Sequence, residues 1–242
     1  LSCNFSGSRR FKVGSLRDHI LGFRGVNGKG DIIKSGGTVV KNVTGYDLSK
    51  LVTGSFGTLT ALTEITFKVL PKKDSLSTLV IYSEDYKVID DLFDQLLSSS
   101  NEISGAVYIP VEPNNKNYTK NIEKIFKLNN LKSEEPFLAV RIEGSKKSID
   151  ERIQNISQEL QIKKMKTSML DFYQSKLFWE KINNLELFSG TKNNLLRAVI
   201  PTATSLDLMK YLKNNFKYYI DWCGSLFWIE VLEEENIQIK KI

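Results

Sequence analysis

Two glycine-rich segments near the start of the chain contain residue types that suit a phosphate or nucleotide site. Residues 6–22 combine glycines with hydroxyl and basic side chains. Residues 36–64 contain Ser55, Gly57 and Thr58, which lead directly into a strand-like stretch. Backbone that lacks Cβ atoms presents its N–H groups to an anion or to the edge of a heteroaromatic ring. From spacing alone, such a site and ordinary tight turns are equally good interpretations.

Other kinds of site receive less support from the sequence. The chain has neither a P-loop nor a G-x-G-x-x-G dinucleotide fingerprint. His19 is the sole histidine, and Cys3 and Cys223 lie far apart, so no metal site built from His and Cys is predicted. No stretch has the roughly 18 to 20 consecutive apolar residues of a membrane span.

Positive charge and glycine are both concentrated in the first third of the chain. Residues 1–71 hold ten Lys or Arg and four Asp or Glu, which accounts for the whole net charge of +6. Eleven of the fifteen glycines lie at or before Gly57. A local positive field favours a phosphate-bearing ligand or a nucleic acid without distinguishing them. An aromatic run near residues 216–228 alternates as a sheet does, so we predict that it packs in the core and that the chain binds no nucleic acid.

Proline and charge at residues 70–74 predict a linker, and with it two domains, 1–71 and 72–242. In the first domain we expect strands at residues 31–34 and 58–69 and a helical turn at 47–51. In the second we expect strands and helices in alternation, with a polar insert over residues 112–135. The expected strands are 77–82, 106–110, 137–143, 195–200, 218–223 and 226–232, and the expected helices are 86–98, 149–160, 176–183 and 205–214. This order is typical of a duplicated α+β sandwich, an antiparallel sheet with helices on one face.

Several motifs carry a resemblance to a known family. Residues 41–51 read K-N-V-T-G-Y-D-L-S-K-L, and residues 54–64 read G-S-F-G-T-L-T-A-L-T-E. Both resemble the FAD domain of the vanillyl-alcohol-oxidase superfamily, whose FAD-binding domain is called the PCMH type. Residues 6–22 resemble the FAD-binding (E) subunit of bacterial glycolate oxidase, as do Phe178-Trp179 and D-W-C-G-S-L-F-W at residues 221–228.

The resemblance implies an α+β fold and a bound FAD. Residues 1–71 would be the C-terminal part of a PCMH-type FAD-binding domain, and residues 72–242 a duplicated ferredoxin-like cap domain. The implied cofactor contacts are Ser6, Gly7 and Gly14 along the ribityl and pyrophosphate side, Gly57 and Thr58 close to the cofactor, and Ala61 and Leu62 through their backbone groups. His19 matches a non-catalytic position of the family, so the catalytic residues remain unassigned.

The sequence also departs from the family pattern. Thr60 replaces a glycine where the cofactor approaches, and Cys223 replaces a glycine that we expect to be a small buried position. The family's pyrophosphate-cradling glycine loop precedes the segment matched at residue 6. Since Leu1 is not a start methionine, we expect the chain to be a fragment that lacks this part and any targeting signal.

The implied function is oxidation of glycolate, a small 2-hydroxy acid, to glyoxylate within a complex. Implied partners are a larger FAD-binding subunit and an iron–sulfur subunit. The implied location is the cytoplasm, or the inner membrane periphery through that complex. Two other interpretations within the superfamily stay open. The first is a D-lactate-type dehydrogenase or an alditol oxidase, which the absence of histidine from residues 72–242 disfavours. The second is an assembly subunit that has lost its flavin.

Overall fold

The computed structural model describes residues 1–40, 45–111, 120–123, 135–160, 165–213 and 215–231. Contacts within it divide the chain into two compact units, Leu1–Lys72 and Lys73–Ile242.

The first unit is built around a three-stranded antiparallel sheet. Strands occur in the order β2-β1-β3, so β1 pairs with both neighbours. The elements of this unit are α1 (Arg10–Val13), α2 (Leu16–His19), β1 (Ile20–Asn27), β2 (Ile32–Gly36), α3 (Leu48–Val52) and β3 (Thr60–Phe67). The sequence predicted β2, α3 and β3 to within a few residues but not the central strand β1.

Strand β1 escapes a sequence-based prediction because glycine occurs twice inside it. Glycine weakens strand propensity but permits close approach of neighbouring backbone. A Cβ on Gly22 would lie 2.8 Å from the nitrogen of Gly37, and one on Gly25 would lie 2.7 Å from the carbonyl oxygen of Ala61. The glycines therefore allow β1 to lie tightly between its two partners.

In the part of the chain that the structure describes, the second unit is a seven-stranded antiparallel sheet with helices packed against it. Its elements are β4 (Ser75–Tyr82), α4 (Tyr86–Ser98), β5 (Gly105–Ile109), β6 (Phe137–Gly144), α5 (Lys146–Glu159), β7 (Thr167–Leu170), α6 (Phe172–Asn183), β8 (Asn194–Val199), α7 (Ser205–Leu212), β9 (Lys217–Asp221) and β10 (Leu226–Val231). Short 3-10 turns occur at Glu186–Phe188 and Thr202–Thr204. All predicted elements of this unit are present, whereas β7 was not predicted. Most of the polar insert predicted over residues 112–135 lies outside the described residues.

The order of the strands shows the predicted duplication. The sheet reads β7-β4-β6-β5-β9-β10-β8. In chain order, β4, β5, β6 and β7 are the first to fourth strands of a β-α-β-β-α-β unit. They lie in the sheet in the order fourth, first, third and second, which is the ferredoxin-like order. The second half repeats the pattern in mirror order with β9, β10 and β8, and the halves meet where Tyr108 pairs with Ile220.

Helices cover both faces of this sheet, not one face as the sequence suggested. Helix α6 packs on the face of Val107 and Ala139 through Phe178 and Trp179. Helix α4 lies on the opposite face, where Tyr86 meets the alternate strand residue Tyr108. The sequence order of helices and strands does not specify a face, because α6 connects the two repeats and is free to cross to the second side.

Candidate nucleotide-binding site

A cavity of about 510 Å³ opens in the first unit beside the two short helices. Three of the predicted cofactor residues, Ser6, Gly7 and Gly14, lie in its wall. The rest of the wall combines apolar side chains, Phe5, Val13, Leu16, Phe67, Val69 and Leu70, with the cationic Arg9, Arg10 and Lys68, and with Ser15 and His19. An apolar wall with a few convergent polar groups is typical of small-molecule sites.

The turn between α1 and α2 shapes one side of the cavity. Gly14 has φ +87°, and a Cβ there would lie 2.9 Å from Asp18 Oδ2. That same oxygen accepts hydrogen bonds from the Ser15 nitrogen at 2.7 Å and from Ser15 Oγ at 2.8 Å. These two bonds lower the pKa of Asp18 although burial opposes the change. The result is a capping box that fixes the start of α2.

Ser6 is tied to the same helix. Its Oγ accepts a hydrogen bond from the Leu16 nitrogen at 3.3 Å. Because the hydroxyl acts as an acceptor in that bond, its own O–H hydrogen is a donor for another acceptor. Ser6 thus combines a fixed position in the cavity wall with the ability to donate to a ligand oxygen.

His19 lines the cavity, but the backbone holds both of its ring nitrogens. Nε2 lies 2.7 Å from the carbonyl oxygen of Val13, and Nδ1 lies 3.3 Å from that of Lys68. These contacts join α1, α2 and the segment after β3. The histidine therefore has a structural explanation, in line with the non-catalytic position that the family resemblance implies.

Gly57 and Thr58 lie in a tight turn outside the cavity lining. Gly54, Phe56 and Gly57 all have positive φ, and the Phe56 nitrogen donates to the carbonyl of Ser2 at 2.8 Å. Thr58 Oγ1 donates to the Ser55 carbonyl oxygen at 2.7 Å. A Cβ on Gly57 would meet no atom within 4 Å. The turn is internally bonded, and its glycine faces open space that a ligand could approach.

Ala61 and Leu62 lie at the start of β3, an outer strand of the described three-stranded sheet. The carbonyl oxygen of Ala61 points toward β1, where it would contact a Cβ on Gly25. In a trans peptide the carbonyl and the following N–H point in opposite directions. The N–H of Leu62 therefore points to the outer edge of β3.

The structure thus separates the predicted residues into two groups. Ser6, Gly7 and Gly14 share the cavity, and the other four, Gly57, Thr58, Ala61 and Leu62, do not line it. The sequence did not single out Lys68 or the apolar residues Phe67, Val69 and Leu70, because they follow a strand far along the chain. The excess of positive charge before residue 72 was the available signal for Arg9, Arg10 and Lys68.

Comparison with known proteins gives a match that covers the whole of this chain. The chain is 30% identical over 244 residues to glycolate oxidase subunit GlcE of Escherichia coli, a match that covers 100% of this chain and 57% of GlcE. The predicted resemblance to the glycolate oxidase E subunit is confirmed. No family model matches the chain. The chain spans little more than half the length of GlcE.

Two further comparisons add a second relative and a solved structure. Glycolate oxidase subunit GlcD of Bacillus subtilis is 43% identical over 82 residues, which are 34% of this chain and 17% of that protein. A VAO-type flavoprotein from Myceliophthora thermophila has a TM-score of 0.59 at 10% identity, covering 99% of this chain and 48% of that one. The predicted α+β fold, that of VAO-type flavoproteins, is confirmed.

Thr60, which departs from the E-subunit motif, does not extend into open space. The residue is 4% exposed, and its Oγ1 donates to the Val26 carbonyl oxygen at 2.9 Å. We expected its side chain to crowd the approach of a cofactor. The structure shows instead that it packs inward on β1.

Cys223, the second departure from the E-subunit motif, is fully buried as predicted. It lies in the turn between β9 and β10, where Trp222, Cys223 and Gly224 all have positive φ. Burial raises the pKa of the thiol, and Asp221 adds to that effect. Trp222 also lies against the guanidinium of Arg197, whose central carbon is 5.1 Å from the indole centroid.

The described residues contain neither a metal-binding cluster nor a membrane-spanning helix. They hold no group of three or more His, Cys, Asp or Glu side chains arranged to bind a metal ion. Within the same residues, every helix is too short or too polar to span a bilayer. The first four residues of the K-N-V-T-G-Y-D-L motif, 41–44, lie outside the described part of the chain.

Proposed function

We propose that this chain binds FAD and takes part, as an E-type subunit, in the oxidation of glycolate to glyoxylate. The observation that carries the proposal is the 30% identity to GlcE along the whole chain. Because the chain spans only 57% of the length of GlcE, its participation in glycolate oxidation is a proposal. The glycolate oxidase subunit GlcD is also similar, over 82 residues, which supports a role in the same chemistry.

The residues of the first unit fit a flavin nucleotide. The cavity wall offers apolar surface for a ring system, the Ser6 hydroxyl as a donor, and the cations of Arg9, Arg10 and Lys68. The outward N–H of Leu62 and the open space beside Gly57 offer backbone contacts without a side chain in the way. We therefore propose Ser6, Gly7, Gly14, Gly57, Thr58, Ala61 and Leu62 as the residues that would hold the cofactor.

The same proposal assigns a different role to each of the two units. Residues 1–71 would form the C-terminal part of the FAD-binding domain, and residues 72–242 would form the cap. The seven-stranded sheet supports the second assignment, because it forms a self-contained core with aromatic residues on both faces. The basic charge before residue 72 supports the first, since FAD carries phosphate groups.

Oxidation of glycolate to glyoxylate removes a hydride from C2 and a proton from the hydroxyl group. FAD, when bound, supplies the acceptor for the hydride. The protein's part is to orient the cofactor and to keep cationic groups near its phosphates. His19 is not proposed as the base for the hydroxyl proton, because backbone carbonyls already contact both of its nitrogens.

The proposed partners are a larger FAD-binding subunit and an iron–sulfur subunit that carries the electrons onward. The names GlcE and GlcD denote subunits of glycolate oxidase, which supports an assembly of several chains. In such a complex this chain would act in the cytoplasm or at the periphery of the inner membrane.

The test is a measurement of flavin content. The complex would be purified with and without this chain, and flavin per complex would be determined from the visible absorption spectrum. We expect one additional flavin when the chain is present, and bleaching of the visible band when glycolate is added anaerobically. An unchanged flavin content would reject the cofactor proposal and favour an assembly subunit that holds no flavin.

A further inference from the structure

We propose that Arg9 and Arg10 bind the phosphate groups of the flavin nucleotide, so that the cavity selects phosphorylated flavins over riboflavin. This inference rests on the proposed function and adds the part of the cofactor that the cavity recognises. The two side chains lie in the wall beside Ser6, Gly7 and Gly14; Arg9 caps the start of α1, and Arg10 is its first residue.

The wall of the cavity is positively charged. Three cationic side chains, Arg9, Arg10 and Lys68, line the cavity, and neither Asp nor Glu is found among its described lining residues. The nearest carboxylate in sequence, Asp18, accepts two hydrogen bonds from Ser15 through one oxygen. Arg10 is close enough to contribute to the lowered pKa of Asp18, after the stronger effect of Ser15. The wall as a whole nevertheless carries an excess of positive charge, which attracts an anion.

The arginine side chain is well suited to bind phosphate. A guanidinium group donates two parallel N–H bonds to a phosphate and keeps its charge at every physiological pH. Arg9 and Arg10 are both half-buried, so water screens their charges less than it would screen those of fully exposed side chains. The Ser6 hydroxyl, fixed by its bond from the Leu16 nitrogen, adds a neutral donor beside them.

The remainder of the wall is apolar. Phe67 is the last residue of β3, and Val69 and Leu70 follow that strand; all three line the cavity together with Phe5. Phe5, Val69 and Leu70 are exposed in spite of their apolar character. A flavin nucleotide is a flat ring system joined by a polar chain to phosphate, so it matches a wall that is apolar in one part and cationic in another.

The test compares three flavins that differ in phosphate. FAD, FMN and riboflavin would be titrated into the purified protein, freed of bound flavin, and binding followed by the change in flavin fluorescence. We expect Arg9→Gln and Arg10→Gln each to weaken FAD and FMN binding by about tenfold or more, the loss typical of one charge-assisted contact. Riboflavin binding should change by less than about twofold in both variants.

Lys12→Gln is the matched control. Lys12 lies on α1, is exposed, does not line the cavity, and its replacement removes the same single positive charge. It should leave all three affinities unchanged. Arg9→Lys should retain part of the FAD affinity, and thermal unfolding of every variant would show whether the fold is intact.

The outcomes separate this inference from the proposed function. If the unmodified protein binds no flavin, the proposed function fails and this inference fails with it. If it binds FAD but the arginine variants bind FAD as tightly, only the phosphate assignment is rejected. An equal loss for riboflavin would also reject it, because the arginines would then act on the shape of the site.

Discussion

The hydroxyl group of Thr60 occupies the space above Gly25 in the adjacent strand. Thr60 Oγ1 lies 2.6 Å from the position that a Cβ on Gly25 would take. The same hydroxyl donates to the Val26 carbonyl oxygen, which is one residue further along β1. The threonine that departs from the E-subunit motif is thus accommodated inside the sheet by a glycine on its neighbour.

This pairing predicts that Gly25 does not tolerate a side chain. In Gly25→Ala the new methyl group would collide with Thr60 Oγ1 and with the Ala61 carbonyl oxygen, so the strands must separate. We expect the free energy of unfolding in urea to fall by about 1 to 3 kcal/mol, as for other overpacked sites. Gly28→Ala is the control, since a Cβ there meets no atom within 4 Å. Equal stability of the two variants would contradict the packing described here.

Gly14 offers a comparison that separates stability from binding. Gly14 and Gly30 both have φ +87°, so alanine is strained at either position by about 1 kcal/mol. A Cβ on Gly14 would also press on Asp18, whose carboxylate holds the cavity-lining Ser15, whereas one on Gly30 would meet nothing within 4 Å. We expect backbone strain to lower the free energy of unfolding of both alanine variants by a similar amount. Only Gly14→Ala should weaken FAD binding severalfold, as measured by fluorescence titration. A comparable loss of FAD affinity in Gly30→Ala would show that backbone strain alone is responsible.

The sequence predicted most helices and strands because their apolar periodicity is regular. Helix α4 begins and ends at the predicted residues, since Asp85 accepts hydrogen bonds from the Lys87 and Val88 nitrogens and apolar residues then recur on one face. Strand β1 was missed because its glycines carry no pattern, and β7 because four residues are too few to show one.

The candidate site was predicted only in part, for a physical reason. Short motifs identify residues that are close in sequence, such as Ser6, Gly7 and Gly14. The opposite wall comes from Phe67 to Leu70, which reaches the cavity because β3 pairs with β1 and the Lys68 nitrogen bonds to the His19 carbonyl. That proximity is a property of strand pairing, which the sequence does not specify residue by residue.

The two cysteines should differ sharply in reactivity. Cys3 is exposed, whereas Cys223 is completely buried and burial raises the pKa of its thiol. Because the thiolate is the reactive form, Cys223 should be inert in the folded protein. We expect a thiol-specific chromogenic reagent to titrate one group per chain in buffer and two in denaturant. Cys3→Ser should remove the native reaction entirely, and a residual fast thiol in that variant would contradict the burial of Cys223.

A buried ion pair between β9 and β10 should make stability depend on acid pH. Lys217 and Glu230 lie 3.1 Å apart, with side chains 5% and 14% exposed. Burial alone would raise the pKa of Glu230, but hydrogen bonds from Thr191, Lys217 and Asn193 together with the Lys217 charge lower it. A carboxylate whose pKa is lowered by folding stabilises the protein above its ordinary pKa, and that contribution disappears as the pH falls through the folded value.

We therefore expect Glu230→Gln to be less stable than the unmodified protein at pH 7. Removing one partner of a buried pair leaves Lys217 uncompensated, and the glutamine retains some hydrogen bonds, so a loss of about 2 to 4 kcal/mol is reasonable. The difference should shrink as the pH falls below the ordinary glutamate value of about 4.3. Glu64→Gln serves as the control, because its ion pair with Arg24 is exposed and contributes little at either pH. Urea unfolding at pH 7 and pH 4 measures both variants, and a Glu230→Gln difference that stays constant would show that the ionised carboxylate does not stabilise the sheet.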